Sequence, residues 1–344
     1  MSSSQAKEKR STTQIAPSSE AVHPKKSMIL LMILCPNSRR EGWSELLVLY
    51  NNYWLRPHFA ATIMRLQNSN SFKARHDDII LATNPKCGTT WMKALAFTIS
   101  NRSRYEFDNH PLFFRHPQEV VPGIEITLDG GLTDLLEKLP SPRLLATHMP
   151  LSLFPKSIAT SGCRVVYMCR EPKDAFVSRW HFENKMMCSR GHNNIDLESA
   201  FSMFSQGFSP YGPFWDHCLE YWKESIASPG NSSKVPFLKY EDMISDPVKH
   251  VTRFAAFLGV PFSTEEEEDG VPEEVVRLCS FEKLSSLHAV QSGDFGRRGD
   301  IVLDKSVFFR KGKVGDWVNH MSEEMGRELD CIVQEKLKGS GLVL

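Results

Sequence analysis

Four short apolar runs recur along the chain, each of strand length and each closed by a turn or a polar residue. They are residues 79–83 (IILAT), 143–147 (RLLAT), 164–169 (RVVYMC) and 235–240 (VPFLKY). Most are nearly continuous in apolar character rather than alternating, the pattern of strands buried on both faces of a parallel sheet. Between them the spacing becomes helical: Trp91, Ala94, Leu95, Thr98 and Ile99 follow the first run, and Phe214, Cys218, Tyr221 and Trp222 come later. Strands alternating with helices predict an α/β domain with a central parallel sheet flanked by helices.

The remaining segments set the limits of that domain. Residues 1–27 are polar and aperiodic, and a disordered tail is expected over residues 1–40, ahead of one domain at 41–344. Residues 28–35 (MILLMILC) are too short to span a bilayer, which takes ~20 residues in a helix. They are followed by PNSRR rather than a small-residue cleavage site, so they are expected to pack on the domain surface and not to act as a signal peptide. Residues 228–234 (SPGNSSK) read as a surface loop, 265–269 (EEEED) as a solvated charge run, and 291–305 as a long irregular segment with three glycines.

Apolar residues make up 41% of the 344, enough for a sizeable core. The 41 basic residues balance 41 acidic ones, which argues against a protein that wraps nucleic acid but leaves room for a local basic pocket. Eight scattered cysteines, none in a CxxC pair, fit reduced thiols in the cytoplasm.

Chemistry concentrates where the strands end. Residues 79–95 (IILATNPKCGTTWMKAL) read as strand, tight turn and helix, with Lys86, Gly88, Thr89 and Thr90 at the turn. Glycine lets a ligand approach the backbone, the first amides of a helix lack partners, and the lysine adds charge, so the turn makes a cradle for a phosphate-type anion. Lysine precedes glycine here, unlike the GxxxxGK[ST] triphosphate loop. A threonine-capped helix after a proline turn explains the threonines equally well. His148 stands just past the second strand, where a general base or a loop-bonding histidine could sit. Arg170 follows the third strand and Ser178 lies in the next helix; arginine suits a phosphate, or a surface ion pair with Glu171 or Asp174. Residues 307–317 (VFFRKGKVGDW) gather Arg310, Lys311 and Lys313 around Gly312 and Gly315, an anion grip or a basic surface turn. In a parallel sheet Lys86, His148 and Arg170 converge on one edge.

Together NPKCGTTW, ATHMP, REPKDAFVS and FFRKGKVGDW resemble the cytosolic sulfotransferases, in that family's order from about Trp43 onward, and with EGWSELLVLYNNYWLRP they look most like its plant branch. The resemblance implies a single-domain, P-loop-kinase-like sulfotransferase fold. It implies sulfuryl transfer from 3′-phosphoadenosine 5′-phosphosulfate (PAPS), with no metal, to the hydroxyl of a small molecule of flavonol, hydroxyjasmonate, brassinosteroid or desulfoglucosinolate type. Carried over by position, Lys86, Cys87, Gly88, Thr89, Thr90 and Trp91 form the 5′-phosphosulfate loop. Arg170 and Ser178, with Arg310, Lys311 and Gly312, take the 3′-phosphate. Trp91 and Phe281 pack near the adenine, and Tyr240 contacts the adenosine end. His148 is the catalytic base, and Lys86 stabilises the leaving phosphate.

Three positions depart from the family pattern. Cys87 replaces a common serine and is a reactive thiol if Lys86 lowers its pKa. Ala146 stands where many animal relatives have lysine. Val318 replaces the lysine that opens the animal-type dimer motif, which favours a monomer. No nucleic-acid or membrane partner is implied. The competing functions are a Mg²⁺-dependent kinase using Glu241 or Asp242, and a nucleotide binder without catalysis. Phe113, Phe114, Met186, Met187, Phe204 and Phe208 are candidates for an apolar acceptor pocket, or for ordinary core.

Overall fold

A computed structural model of the chain describes residues 39–43, 45–68, 72–189, 191–227, 235–291, 293–298 and 301–344. The segments MILLMILC and SPGNSSK, and the expected tail apart from positions 39 and 40, lie outside the described residues.

The chain enters through a small antiparallel sheet of β1 (Arg39–Glu41), β2 (Leu46–Tyr50) and β3 (Tyr53–Leu55). Asn51 and Asn52 join β2 to β3 with φ of 46° and 69°, the left-handed pair that a tight hairpin turn requires. Helix α1 (Pro57–Asn68) leads to β4 (Ile79–Thr83), whose five residues are all buried. Then come α2 (Thr89–Asn101), two short helices α3 (Pro117–Val120) and α4 (Ile124–Asp129), and β5 (Leu144–Thr147). Strand β6 (Arg164–Cys169) is followed by α5 (Pro172–Ser189), α6 (Phe214–Ala227) and β7 (Phe237–Lys239), and α7 (Pro247–Leu258) and α8 (Glu323–Leu337) complete the layers used below.

Strands β5, β4, β6 and β7 form one sheet in that order, parallel throughout, with Ile79 opposite both Leu144 and Arg164. Side chains alternate across it. Ile80, Ala82, Leu145, Val165 and Tyr167 join a core with α1, α5, α6 and α8. Ile79, Leu81, Ala146, Val166 and Met168 join a second core with α2 and α7. Both faces are therefore covered, which explains why the four apolar runs are continuous. At the amino-terminal edge Arg143 forks onto Asp78 at 2.8 and 2.5 Å with both side chains fully buried, tying the starts of β4 and β5 together.

One expectation is corrected and another holds. The irregular segment instead contains paired strands: β8 (Asp294–Arg298) runs antiparallel to β9 (Ile301–Asp304), Arg298 opposite Ile301, with a register shift between Asp294 and Arg297. The two residues between these strands are Gly and Asp, a short-hairpin sequence. The EEEED run is solvated as expected, with four of its five residues exposed and Glu266 half-buried. Ser263 caps a helical turn over Thr264–Glu268, and Arg102 bonds Glu266 at 2.7 Å.

Candidate active site

The carboxyl ends of β4, β5 and β6 share one edge of the sheet. Lys86 lies three residues past β4, and His148 and Arg170 directly follow β5 and β6. Ligands of open α/β sheets bind at this edge.

After β4 the chain turns through Asn84 to Gly88. Lys86 has φ of 74°, a strained value for a side chain with a Cβ, and Gly88 has φ of 92°. Gly88 is the N-cap of α2 and no side chain caps it; the threonine-cap alternative therefore fails. The first bond of the helix runs from Met92 N–H to Gly88 C=O at 2.9 Å, so the N–H groups of Thr89, Thr90 and Trp91 have no acceptor within α2. A methyl group on Gly88 would lie 2.8 Å from the Tyr240 ring, so only glycine fits between loop and ring. Lys86 is half-buried, its Nζ 4.2 Å from the centre of the Phe182 ring. Burial, reinforced by Arg170, Arg179 and Arg310 and opposed by Glu183, pushes its pKa down to about 7. A lysine crowded by three guanidiniums marks a site shaped for more than one negative charge.

Cys87 departs from expectation. Its side chain is fully buried in the core, its N–H closes the turn onto Asn84 C=O at 3.2 Å, and burial pushes the thiol well above its ordinary value. It is neither a reactive thiol nor a side chain turned toward an anion. Thr89 also faces inward: its hydroxyl meets that of Thr83 at 2.6 Å.

His148 is held from four sides. Its Nδ1 lies 2.9 Å from the Thr83 carbonyl and 3.3 Å from the Thr83 hydroxyl. Its backbone N–H donates to Glu125 at 2.8 Å, and its carbonyl accepts from His217 Nε2 at 3.0 Å. A carbonyl can only accept, so Nδ1 carries the hydrogen and Nε2 keeps its lone pair. Burial, with help from Lys93, Arg179 and His217, pushes the ring down to about 3 against the opposing Thr83 bond. The imidazole is neutral at pH 7.

Arg170 is 6% exposed, stacks 4.6 Å over the Tyr240 ring and donates to Lys313 C=O at 2.8 Å. Its Nε is buried without an acceptor, and so is the Nε of Arg310. Two orphaned cationic donors on converging segments are what a bound phosphate relieves, so the residues present fit the 3′-phosphate of a nucleotide. Arg310 and Lys311 meanwhile bond Asp316, the latter at 3.1 Å. Burial opposes ionisation of Asp316, but these bonds and one from Asn319 outweigh it and hold the carboxyl well below the usual range. Ser178 lies buried two turns along α5. Gly312 (φ 64°) sits against Phe281, which a methyl group would meet at 2.3 Å. Trp91 meets Tyr240 edge to face at 5.4 Å. The structure thus gathers Lys86, Gly88, Trp91, Arg170 and Tyr240 with the Arg310–Gly312 loop.

Sequence spacing does not point to Thr83 or Glu125, and it marks Asp174 only as an ion-pair partner. Glu125 bonds the Thr147 hydroxyl and the His148 N–H at 2.8 Å each, and Asp174 accepts from Gly315 and Trp317. Asp174 stands one helical turn after Arg170, a visible signal; Glu125 leaves none. Glu241, offered for a kinase, accepts the N–H of Glu171 at 2.9 Å. Among the acceptor candidates, Phe204 and Phe208 are core, Phe114 is exposed, and Lys283 sits over Phe113. Met186 lines a cavity of about 520 Å³ with Trp180, His181 and Asp304, and neither Lys86 nor His148 lines it.

Comparison with known proteins agrees with this geometry. The sulfotransferase domain model matches residues 76–341. Cytosolic sulfotransferase 17 of Arabidopsis thaliana is 39% identical over 97% of this chain and 95% of its own. Flavonol 4′-sulfotransferase of Flaveria chlorifolia is 40% identical over 86% of this chain and 89% of its own. The crystal structure of a mouse sulfotransferase complexed with PAP superposes with a TM-score of 0.61 at 25% identity, covering 86% of this chain and 96% of that one. Neither a triphosphate-dependent kinase nor a binder without catalysis is what these matches describe. The chain is a sulfotransferase enzyme, belonging to the family that includes the plant cytosolic sulfotransferases.

Proposed function

We propose that the enzyme moves a sulfuryl group from PAPS to the hydroxyl of a small organic acceptor, with His148 as general base and Lys86 stabilising the leaving phosphate. PAPS supplies a pre-activated sulfuryl group when bound. The observation that carries the reading is Thr83. Its carbonyl and hydroxyl fix His148 Nδ1, and the same hydroxyl meets Thr89 at the first turn of the anion-binding helix. Base and anion cradle are thus joined through one residue at the end of β4.

His148 Nε2 takes the proton of the acceptor hydroxyl as its oxygen bonds to sulfur. Lys86 Nζ donates to the oxygen on which charge grows as the sulfur–oxygen bond to the 5′-phosphate breaks. The N–H groups of Thr89 to Trp91 hold the 5′ end. Arg170, Ser178, Arg310, Lys311 and Gly312 hold the 3′-phosphate, and Trp91, Tyr240 and Phe281 hold the adenosine. Positioning and preset positive charge supply most of the rate, as in phosphoryl transfer.

The acceptor is taken to be of flavonol, hydroxyjasmonate, brassinosteroid or desulfoglucosinolate type. The flavonol 4′-sulfotransferase relative supports the first of these, and the relatives' names support a cytoplasmic site of action. The reading takes the enzyme as a monomer that needs no metal, which light scattering and assays in EDTA test. The main experiment is transfer of labelled sulfate from PAPS to a panel of plant phenols, steroids, hydroxy acids and desulfoglucosinolates with EDTA present. Label on an acceptor is expected. No transfer together with no binding of PAP, the desulfated 3′,5′-nucleotide, would overturn the reading.

A further inference from the structure

Lys93 is a buried lysine that the mechanism above leaves unused. It lies on α2 one turn beyond Thr89 and is 2% exposed. Burial, opposed by Glu125, pushes its pKa down to about 7. Its Nζ donates to Oε1 of Gln118, on α3, and Gln118 Nε2 in turn donates to the hydroxyl of Thr90 at 3.1 Å. Gln118 is itself fixed by α3, where its N–H donates to the His116 ring at 3.0 Å.

An ammonium has only donors. Lys93 therefore dictates which end of the Gln118 amide faces it: oxygen toward Lys93, NH₂ toward Thr90. The Thr90 oxygen must then accept, and its single hydrogen is left to point elsewhere. Thr90 stands in the first turn of α2 beside the unpaired N–H groups. We propose that Lys93 and Gln118 are positioning residues that fix the direction of the Thr90 hydroxyl, so that Thr90 donates to an anionic oxygen of the sulfuryl donor. This rests on the donor-site reading above.

Gln118→Glu separates the direction of the bond from mere packing. Glutamate has the shape of glutamine, the site is half-buried and Lys93 stands beside it, so the fold is retained. With one carboxylate oxygen on Lys93, the other can only accept. Thr90 must then turn its hydrogen to it and away from the donor. Gln118→Ala removes the constraint and leaves Thr90 free to donate.

The test is calorimetric binding of PAP at pH 6, a unit below the lowered pKa of Lys93, to wild type, Thr90→Val, Gln118→Glu, Gln118→Ala and the Thr90→Val/Gln118→Glu pair. Loss of a hydrogen bond to a charged group predicts that Thr90→Val and Gln118→Glu each weaken binding about tenfold or more. Gln118→Ala is expected to weaken it less than about threefold, and the double variant to bind no worse than Thr90→Val. The proposal is overturned if Gln118→Glu binds like wild type, if Gln118→Ala is the weaker of the two, or if the two losses add. Addition would mark a plain effect of the new charge. Arg170→Ala is the control for the underlying reading. If wild type fails to bind PAP, or Arg170→Ala binds it equally well, the donor site itself is refuted.

Discussion

The buried carboxylate of Asp174 accepts the backbone N–H of Gly315 at 2.7 Å, across 141 residues of chain. Its other oxygen takes the Trp317 N–H at 3.0 Å, and Arg170 reaches the first at 3.4 Å. One side chain thus fixes the distance between the segment after β6 and the glycine-rich loop. Asp174→Asn keeps the shape but turns an NH₂ against an N–H. PAP affinity is expected to fall about tenfold, with little change for the 3′-dephospho analogue. Paired calorimetric titrations check this, and equal losses for both nucleotides would contradict it.

Arg170 and Arg310 each leave Nε buried without an acceptor. Arg170→Ala and Lys311→Ala are expected to weaken PAP far more than its 3′-dephospho analogue. The Arg170 loss should be the larger, because Lys311 is exposed and screened by water. The same titrations decide it.

His148→Ala is expected to bind PAP as wild type does and to lose turnover by ~10²–10⁴-fold. Single-turnover transfer of labelled sulfate measures the loss. Near-normal turnover would remove His148 from the mechanism.

Gly312→Ala places a methyl group 2.3 Å from the Phe281 ring at a φ of 64°. Both the contact and the backbone angle oppose it, and PAP binding should drop sharply. The 3′-dephospho analogue, which does not use this loop for a phosphate, should lose less. Paired calorimetric titrations check this, and unchanged PAP binding would contradict it.

His110, His116 and His217 are almost fully buried, and burial lowers their pKa to about 4, about 3 and about 4. Each folded value lies below the unfolded one, near 6.5. These rings contribute their full stability above pH 6.5. They lose it as the pH falls and the unfolded chain takes up protons first, about 2 kcal/mol for each ring at pH 5. Urea midpoints at pH 7.5 and pH 5 test this, with a clear drop expected at pH 5. Equal midpoints would contradict it.

The parallel strands were legible because burial on both faces removes alternation, leaving runs such as IILAT unmistakable. The charged residues at their ends followed from the parallel arrangement alone. The entry hairpin carried a signal that periodicity passed over, the Asn51–Asn52 pair between LLVLY and YWL. The positions of Thr83 and Glu125 were not readable. Thr83 looks like the last residue of a strand, and Glu125 acts on His148 from 23 residues away. Cys87 misled for a related reason: its neighbours in sequence suggested the pocket, whereas the turn at Lys86 and Gly88 rotates it into the core.

Strand β4 is bonded to a strand on either side, and each of its residues is buried. Such a strand opens only when the whole domain opens. Thr83, at its tip, holds both the His148 ring and the Thr89 hydroxyl in the first turn of α2, so the proposed reaction centre inherits the rigidity of the sheet. Exposed positions such as Phe114 lie outside that frame. Sequence drift at such exposed positions can therefore proceed while the centre of the sheet stays in register, and a lineage built on this scaffold can change its surface without rebuilding its interior.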